Sequence, residues 1–251
     1  MNENPNQKSI LITGCSSGIG LAVAEGLNRS GYRVFATVRR REDIEKLTQK
    51  GLESLHLDLD DSFSIQSALH EVLHRTGGTL YALFSNGGYG QPGAVEDLSR
   101  EAIRVQFETN LFGTMELITR VIPVMRKQGY GRIIQCSSIL GFVALPYRGA
   151  YIASKYALEG LTDTLRLELS STPIRVSLIE PGPISTRYKF NSLKFFKKYI
   201  SVGTSPHSES YKYLEDRLSG TDSTSSFTLP PTAVLRKVMH ALESESPKIR
   251  Y

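Results

Sequence analysis

Three side chains in the middle of the chain could together transfer a proton. Tyr151 and Lys155 are four residues apart, and on a helix this spacing places both side chains on one face. Such a pair alone is more often a surface feature than a site. Ser138, however, follows the apolar residues Ile133 and Ile134. We therefore expect Ser138 at the carboxyl end of a strand, where parallel sheets carry their ligand sites.

A glycine-rich turn near the start of the chain could bind phosphate. Gly14, Gly18 and Gly20 have the spacing G-x-x-x-G-x-G. Backbone without side chains can approach a ligand closely, and amides at a helix N-terminus attract anions. Glycine also occurs in ordinary turns, so the triplet alone is a weak signal. Here it follows the apolar run 9–12 and precedes a helical pattern, the context that a dinucleotide-binding turn requires.

The residues that follow the second predicted strand, 33–38, indicate which dinucleotide is bound. An acid at this place binds the ribose hydroxyls of NAD, whereas arginine accommodates the additional phosphate of NADP. Arg39 and Arg40 stand here, and the first acid is Glu42. Arg39 and Ser17 are candidate phosphate ligands, because a guanidinium suits phosphate geometry. The alternative is a solvated basic turn, and the glycine loop makes NADP the better interpretation.

Strand-like and helix-like segments alternate along the chain. We predict strands at 9–12, 33–38, 52–57, 80–84, 132–136 and 175–179, and helices after Gly20 and at 62–76, 100–127, 150–170 and 232–242. Such alternation predicts an α/β fold, a doubly wound parallel sheet of the Rossmann type with helices on both faces. We find no repeat and no linker, so residues 1–251 are predicted to form a single dinucleotide-binding catalytic domain.

The composition excludes several classes of protein. Hydrophobic residues make up 40% and charged residues 22% of the chain, which is typical of a globular fold rather than of disorder. The two cysteines, Cys15 and Cys136, are too few for a disulfide scaffold and suggest a reducing compartment. The first residues lack a signal-peptide pattern, and no apolar run reaches the ~18 residues of a membrane span. We therefore expect a cytoplasmic protein.

Seven segments together resemble the short-chain dehydrogenase/reductase family. They are TGCSSGIG at 13–20, LDLD at 57–60, SNGG at 85–88, NLFG at 110–113, SS at 137–138, YIASK at 151–155 and PGPIST at 181–186. They occur in the family's order and spacing across almost the whole chain, and the combination is far more specific than any single segment. The sequence is most similar to the bacterial NADP-dependent aldehyde reductases and to the branch of hydroxysteroid and retinol dehydrogenases.

The resemblance implies four catalytic residues. Tyr151 would be the general acid in carbonyl reduction, with its pKa lowered by Lys155 and the oxidised nicotinamide. Lys155 would also hold the ribose hydroxyls, and Ser138 would orient the substrate oxygen. Asn110 would hold a water that connects Lys155 to solvent.

The resemblance also implies NADP(H) as cofactor and a set of residues that bind it. Asp58 would contact the adenine beside the Leu59 backbone, the segment 86–88 would line the adenosine side, and the segment 181–186 would frame the nicotinamide. The full set is Gly14, Ser16, Ser17, Gly18, Ile19, Gly20, Arg39, Asp58, Leu59, Asn86, Gly87, Gly88, Tyr151, Lys155, Pro181, Gly182, Ile184 and Thr186. A homodimer or homotetramer is expected, paired through the helices at about 100–127 and 150–170.

Two departures from the family's pattern affect these expectations. The usual Asn-Asn-Ala-Gly is Ser85-Asn86-Gly87-Gly88 here, which puts the sheet contacts of the first asparagine in doubt. Pro247 to Tyr251 resembles the start of the family's last strand, and relatives continue beyond it, so we expect that a tail is missing or omitted.

A substrate lid is predicted at about 184–228. Segment 187–199 carries five cations and no acid, which accounts for the whole formal charge of +5. A general nucleic-acid surface is therefore poorly supported, and no nucleic-acid partner is expected. We expect its aromatic residues, Phe195 and Phe196 among them, to line a pocket for an apolar carbonyl substrate, with contact to a lipid surface as the alternative. The Ser- and Thr-rich segment 201–228 is either a mobile insertion or part of the lid.

The sequence leaves several functions open. The first is NADPH-dependent reduction of an apolar, medium- to long-chain or ring aldehyde or ketone. The second is NADP-dependent oxidation of a hydroxysteroid, retinol or another lipid alcohol. His70-Glu71-Val72-Leu73-His74 matches the zinc-hydrolase pattern H-E-x-x-H, although its place on a crossover helix favours an exposed face with Leu69, Val72 and Leu73 packed inward. A non-catalytic dinucleotide sensor is the last alternative.

Overall fold

The computed structural model describes residues 7–220 and 227–251. Its centre is a sheet of six parallel strands in the order β3-β2-β1-β4-β5-β6. The strands are β1 (Ser9–Ile12), β2 (Arg33–Val38), β3 (Glu53–His56), β4 (Ala82–Ser85), β5 (Gly131–Cys136) and β6 (Ile174–Ile179). The predicted doubly wound parallel sheet is confirmed, and the order reverses between β1 and β4. Ligands bind at such a switch point, outside the carboxyl ends of the strands.

Helices cover both faces of this sheet. They are α1 (Gly18–Arg29), α2 (Glu42–Thr48), α3 (Ser62–Arg75), α4 (Arg100–Phe107), α5 (Thr114–Gln128), α6 (Gly149–Glu168), α7 (Tyr188–Tyr199), α8 (Ser208–Ser219) and α9 (Thr232–Glu243). Because side chains alternate along a strand, Ile10 and Ile12 pack with Val23 of α1 and Val238 of α9, whereas Leu11 packs into a second core that contains α3 and α5. The strands are apolar on both faces, as parallel strands between two helical layers must be.

The structure differs from the predicted elements in two places. The long helix expected over 100–127 is interrupted by a π-helical turn at Glu108–Gly113. The short helix α2 was not predicted, because Glu42–Thr48 carries mostly charged residues and buries only Asp43 and Leu47. Such a helix shows little apolar periodicity.

The last residues extend the sheet beyond β6. Arg250 forms a parallel bridge with Leu178. The amide of Leu178 donates to the carbonyl of Ile249 at 2.8 Å, and the amide of Tyr251 donates back to Leu178 at 3.0 Å. The strand-like character expected of 247–251 is thus present.

Helices α7 and α8 form a separate apolar cluster above the strand ends, which we call the helical pair. Phe196 of α7 packs with Tyr211, Leu214 and Leu218 of α8. The described part of segment 201–228 is therefore largely helical rather than an irregular insertion, and residues 221–226 lie outside the described residues. Among the residues that the structure covers, no helix has the length and apolarity to cross a bilayer.

Candidate active site

The glycine turn between β1 and α1 is shaped by close backbone approaches. Gly14 has a φ of +72° and Gly18 a φ of +61°, in the left-handed region that favours glycine. A Cβ on Gly14 would lie 2.9 Å from the Cα of Gly87, and one on Gly20 would overlap the carbonyl oxygen of Gly14. Side chains are thus excluded where a phosphate must approach backbone amides at a helix N-terminus. The turn fits a dinucleotide.

The ends of β1 and β4 are joined by Thr13 and Asn86. The hydroxyl of Thr13 accepts the amides of Asn86 at 2.9 Å and Gly87 at 2.8 Å. The side-chain amide of Asn86 donates to the carbonyls of Thr13 at 3.0 Å and Gly14 at 3.3 Å. Ser85, which replaces the family's first asparagine, is buried, and its hydroxyl has no hydrogen-bond partner. Asn86 therefore connects the two strand ends across the switch point.

The residues expected to hold the adenosine lie at the ends of β2 and β3. Arg39 directly follows β2 and is exposed, whereas its neighbour Arg40 donates to Asp43 at 2.9 Å. The carboxylate of Asp58 accepts the amide of Asp60 at 3.1 Å. Leu59 is buried, and its Cδ1 would lie 2.9 Å from a Cβ on Gly87. The segments that follow β3 and β4 therefore pack together on the same side of the site.

Ser138, Tyr151 and Lys155 come together at the carboxyl end of β5. Tyr151 and Lys155 lie on α6 and are 8% and 5% exposed. The hydroxyl of Ser138 accepts the amide of Leu140 at 3.1 Å and lies near the Tyr151 phenol, whose pKa it lowers. The ammonium of Lys155 lies 5.8 Å from the centroid of the Tyr151 ring and donates to the carbonyl of Cys136 at 2.8 Å. An ammonium has three donors, so two remain for a ligand such as a ribose.

Burial is the largest cause of the pKa shifts of Tyr151 and Lys155. Desolvation raises the pKa of Tyr151 well above its ordinary value, the neighbouring Tyr188 phenol raises it further, and the Ser138 hydroxyl opposes both. Burial also lowers the pKa of Lys155. The lowering of the Tyr151 pKa expected from sequence relied partly on the charge of the oxidised nicotinamide, and in the protein alone desolvation dominates. The phenol is accordingly a protonated donor at neutral pH.

The π-helical turn sets the position of Asn110. The Asn110 amide donates to the Tyr89 carbonyl at 2.9 Å and the Ser154 hydroxyl at 3.1 Å, and its oxygen accepts the Tyr89 amide at 3.1 Å. Ser154 in turn donates to the carbonyl of Tyr151 at 2.7 Å. π-turns of this kind are frequent at functional sites. Both Asn110 donors are occupied, so only its side-chain oxygen retains capacity for a water.

The segment after β6 closes the other side of the site. The carbonyl of Pro181 accepts the amide of Ile139 at 3.1 Å, which fixes this segment to the chain just after Ser138. A Cβ on Gly18 would lie 3.1 Å from Thr186. Residues Gly182 and Ile184 lie between these two contacts along the chain. Every predicted site residue therefore lies in a segment at or above the carboxyl edge of the sheet.

The helical pair contributes two aromatic rings to this site. The ring of Tyr188 lies edge-on to that of Tyr151, with 5.6 Å between centroids. Phe195 stacks on Tyr89 at 3.8 Å and 17°. Phe196 turns the other way and is 1% exposed in the core of the helical pair, against Tyr211. The expectation that Phe196 lines the pocket is wrong, because neighbouring residues on a helix lie about 100° apart.

The H-E-x-x-H segment lies on α3, away from the strand ends. His70 and His74 are exposed, and Glu71 forms an ion pair with Arg75 at 2.7 Å. Leu69 and Val72 are buried in the second core. In residues 7–220 and 227–251, no three His, Cys, Asp or Glu residues are grouped as metal ligands. The segment is an amphipathic helix with a solvated polar face.

Three residues of the site were not predicted from sequence. Tyr89 and Ser154 hold Asn110, and Thr13 holds the amides after β4. Thr13 and Ser154 belong to the quoted segments TGCSSGIG and YIASK, which is a signal for their position, whereas Tyr89 carries no such signal. Tyr188 is one of the aromatic residues of segment 187–199 that were expected to line the pocket, and only the packing of α7 shows its contact with the Tyr151 phenol.

Comparison with known families agrees with this geometry. The short chain dehydrogenase family model matches residues 8–194, about three quarters of the chain. The chain belongs to the short chain dehydrogenase family. It is therefore an oxidoreductase with a Rossmann-like fold, in a family that acts on alcohol and carbonyl groups.

Three relatives show the range of proteins to which the chain is similar. The oxidoreductase YbbO of Escherichia coli (strain K12) is 43% identical over 98% of this chain and 85% of its own. The 3-ketodihydrosphingosine reductase of Bacteroides thetaiotaomicron is 38% identical over 72% of this chain and 66% of its own. Retinol dehydrogenase 8 of Homo sapiens is 34% identical over 83% of this chain and 68% of its own.

Solved structures confirm the fold. A short-chain dehydrogenase from Streptomyces avermitilis superposes with a TM-score of 0.82 at 28% identity, covering 98% of this chain and 87% of that one. A variant of the actinorhodin polyketide ketoreductase, crystallised with NADPH, gives a TM-score of 0.80 at 26% identity, covering 98% and 95%.

Proposed function

We propose that this protein is an NADPH-dependent reductase of apolar aldehydes or ketones. The observation that carries the proposal is the buried cluster of Ser138, Tyr151 and Lys155 at the carboxyl end of β5, beside a glycine turn that fits a dinucleotide. The cofactor, when bound, supplies the hydride. The helical pair, which we propose is the substrate lid, covers this cluster with aromatic rings.

Tyr151 is proposed as the general acid. A phenol is protonated at neutral pH, and burial raises the pKa of Tyr151 further, so it holds the proton that a carbonyl oxygen must receive as hydride reaches carbon. Because the raised pKa also makes the phenol a weaker acid, the positive charges of Lys155 and of the oxidised nicotinamide would have to lower it in the complex. The hydroxyl of Ser138 would orient the same oxygen. Lys155 would hold the ribose with its two remaining donors, while its ammonium compensates the phenolate that forms.

Arg39 supports NADPH over NADH. The strand end that carries it has no acidic residue before Glu42. Arg40 is bound to Asp43 at 2.9 Å and to Glu42 at 3.4 Å. Arg39 is therefore the exposed guanidinium at this strand end that is suited to the additional phosphate of NADP.

An apolar carbonyl substrate fits the rings above the site. Tyr188 and Phe195 present aromatic surface next to Tyr151 and Tyr89. The similarity to a 3-ketodihydrosphingosine reductase and to a retinol dehydrogenase points to the same substrate class. Oxidation of a lipid alcohol is the second candidate, supported by the retinol dehydrogenase. The chemistry is reversible, and the ratio of reduced to oxidised cofactor sets its direction.

A cofactor and substrate panel tests this proposal. Purified protein is mixed with medium- and long-chain aldehydes and ring ketones, and oxidation of NADPH and of NADH is followed. We expect turnover with a preference for NADPH. Arg39→Gln should lower that preference, whereas Arg41→Gln, an exposed neighbour that heads α2, should leave it unchanged. No turnover in either direction would support a dinucleotide sensor, and an unchanged preference in Arg39→Gln would reject the role of Arg39.

We also propose a homodimer or homotetramer. Helices α4 and α6 and the π-turn between α4 and α5 expose large apolar side chains, among them Ile103, Phe112, Leu161 and Leu167. Exposed apolar surface of this kind, where it is contiguous, marks protein interfaces. Light scattering of the intact chain tests it, and Phe112→Ser with Leu161→Ser should shift the mass toward the monomer.

The thiols of Cys15 and Cys136 support a reducing compartment. Both are free and buried, and burial raises the pKa of Cys15 to about 12. Buried thiols at these positions in the sheet core behave as small apolar residues. We therefore propose the cytoplasm as its location, which fluorescent tagging in the source cell would test.

A further inference from the structure

At the start of α7, an aromatic ring lies between two cations at the molecular surface. Phe190 is 47% exposed. The guanidinium carbon of Arg187 lies 5.3 Å from the centroid of its ring, and the ammonium of Lys194 lies 4.6 Å from it. These residues do not belong to the apolar cluster that joins α7 to α8. Their arrangement is therefore available for another partner.

Two exposed apolar residues lie beside the base of α7. Leu229 is 53% exposed and Phe227 is 80% exposed. The amide of Leu229 donates to the Pro183 carbonyl at 3.0 Å, and its carbonyl accepts the amide of Ser185 at 2.9 Å. Segment 227–229 thus runs along the chain that leads into α7. We call Arg187, Phe190, Lys194, Phe227 and Leu229 together the Phe190 surface.

The Phe190 surface keeps its positive charge. Segment 187–199 contains no acidic residue. Lys197, further along the helix, is paired with Glu215 of α8 at 2.9 Å. Glu25, which lines the same cleft as Arg187, is already paired with Lys50 at 2.6 Å. Among the described residues, neither Arg187 nor Lys194 has an ion-pair partner, so the two cations beside Phe190 keep their charge.

We propose that the Phe190 surface binds an anionic lipid bilayer. Lysine and arginine beside a membrane are attracted to anionic headgroups, and aromatic rings insert at the level of those headgroups. An exposed ring between two cations combines both interactions at one place. Its role in delivering substrate rests on the proposed function: the other face of α7 carries Tyr188 and Phe195, so a lid held on a bilayer would receive an apolar carbonyl from it.

Vesicle sedimentation without substrate or cofactor tests the binding itself. The intact protein is mixed with vesicles of phosphatidylcholine, alone or with phosphatidylglycerol, at low and high salt. We expect binding to the anionic vesicles that weakens with salt. Lys194→Gln should lower the partition coefficient about fivefold, and Phe190→Ser about tenfold.

Two variants outside the Phe190 surface are controls for the loss of any exposed lysine or phenylalanine. Lys127 is exposed at the end of α5, and Phe63 is 76% exposed on α3. Lys127→Gln and Phe63→Ser should bind vesicles as the wild type does, and all four variants should keep its melting temperature. Equal losses in the control variants, or no vesicle binding by the wild type, would overturn the proposal.

A parallel measurement tests whether the Phe190 surface binds nucleic acid instead. The same variants are titrated with a fluorescent single-stranded oligonucleotide. Tight oligonucleotide binding that Lys194→Gln and Phe190→Ser abolish, without binding to anionic vesicles, would assign the surface to nucleic acid instead. Because none of these measurements depends on turnover, loss of the lipid proposal leaves the reductase proposal standing, and the converse also holds.

Discussion

The sheet edge and the helical pair hold the same site by different means. At the sheet edge, Gly14 and Gly20 bring backbone against backbone, since the Cα of Gly87 and the carbonyl oxygen of Gly14 lie too close to where their Cβ atoms would be. In the helical pair, contact with the rest of the protein depends on side chains, such as the Phe195–Tyr89 stack. Close-packed backbone tolerates no substitution without a shift, whereas side-chain contacts can be changed singly. We therefore propose that the chemistry lies on the rigid side and substrate selection on the adjustable side.

Removal of the phenol tests the rigid side most directly. Tyr151→Phe should lower kcat by about 10²–10⁴-fold because the general acid is lost, while cofactor affinity stays close to the wild type. Stopped-flow turnover and fluorescence titration with NADPH measure the two. Tyr156→Phe, an exposed tyrosine on the same helix, serves as the control. Equal activity of Tyr151→Phe and wild type would contradict the mechanism.

Two neighbouring phenylalanines separate the inside of the helical pair from its pocket face. Phe196→Ala should destabilise the protein by about 3–5 kcal/mol, since it empties a buried site. Phe195→Ala should leave the melting temperature nearly unchanged and raise KM for long-chain carbonyl substrates. Thermal unfolding and steady-state kinetics together measure the difference. If both variants raised KM equally and Phe196→Ala did not lower the melting temperature, the burial of Phe196 inside the helical pair would be contradicted.

A single methyl group tests the backbone contacts of the sheet edge. Gly20→Ala should cost about 1–3 kcal/mol of unfolding free energy, because the new Cβ would overlap the Gly14 carbonyl. It should also weaken NADPH binding. Gly160→Ala, on α6 with open space around it, should stabilise or have no effect. Chemical denaturation measures the unfolding free energy of both variants. If Gly20→Ala were as stable as Gly160→Ala, the sheet edge would not be the rigid region described above.

The packing of α8 against the segment that carries Asp97 should become less stable at acid pH. Asp97 accepts hydrogen bonds from Ser205 at 2.6 Å and from Tyr211, and these bonds lower the pKa of its carboxyl. The lowered pKa contributes stability above the unfolded-state pKa of Asp97, and this is lost as pH falls through the folded-state pKa.

Asp97→Asn should therefore cost about 1 kcal/mol at neutral pH and flatten the acid side of the stability profile. Melting temperatures over a pH series measure this, with Glu209→Gln, an exposed ion-paired carboxylate on α8, as the control. A profile of Asp97→Asn that parallels the wild type would show that the contact does not stabilise α8.

Much of the sheet edge was predictable, because its signals are local in sequence. The glycine spacing, the apolar runs and the pair Tyr151 and Lys155 each lie within a few residues, and each reports a backbone or helix geometry. The order of the segments then placed them at one edge of a parallel sheet. The π-turn around Asn110 was missed because apolar periodicity does not distinguish a helix from a helix with one wider turn.

Local sequence features were enough to predict the strand–helix alternation, the glycine turn, the pair Tyr151 and Lys155 and the positive charge of segment 187–199. Only the packing of α7 showed that Phe195 faces the site while Phe196 fills the helical pair, and that Tyr188 contacts the Tyr151 phenol. Periodicity and spacing describe the face of an element. Which partner covers that face depends on residues of other elements that are distant in the chain, such as Tyr89 for Phe195 and Tyr151 for Tyr188.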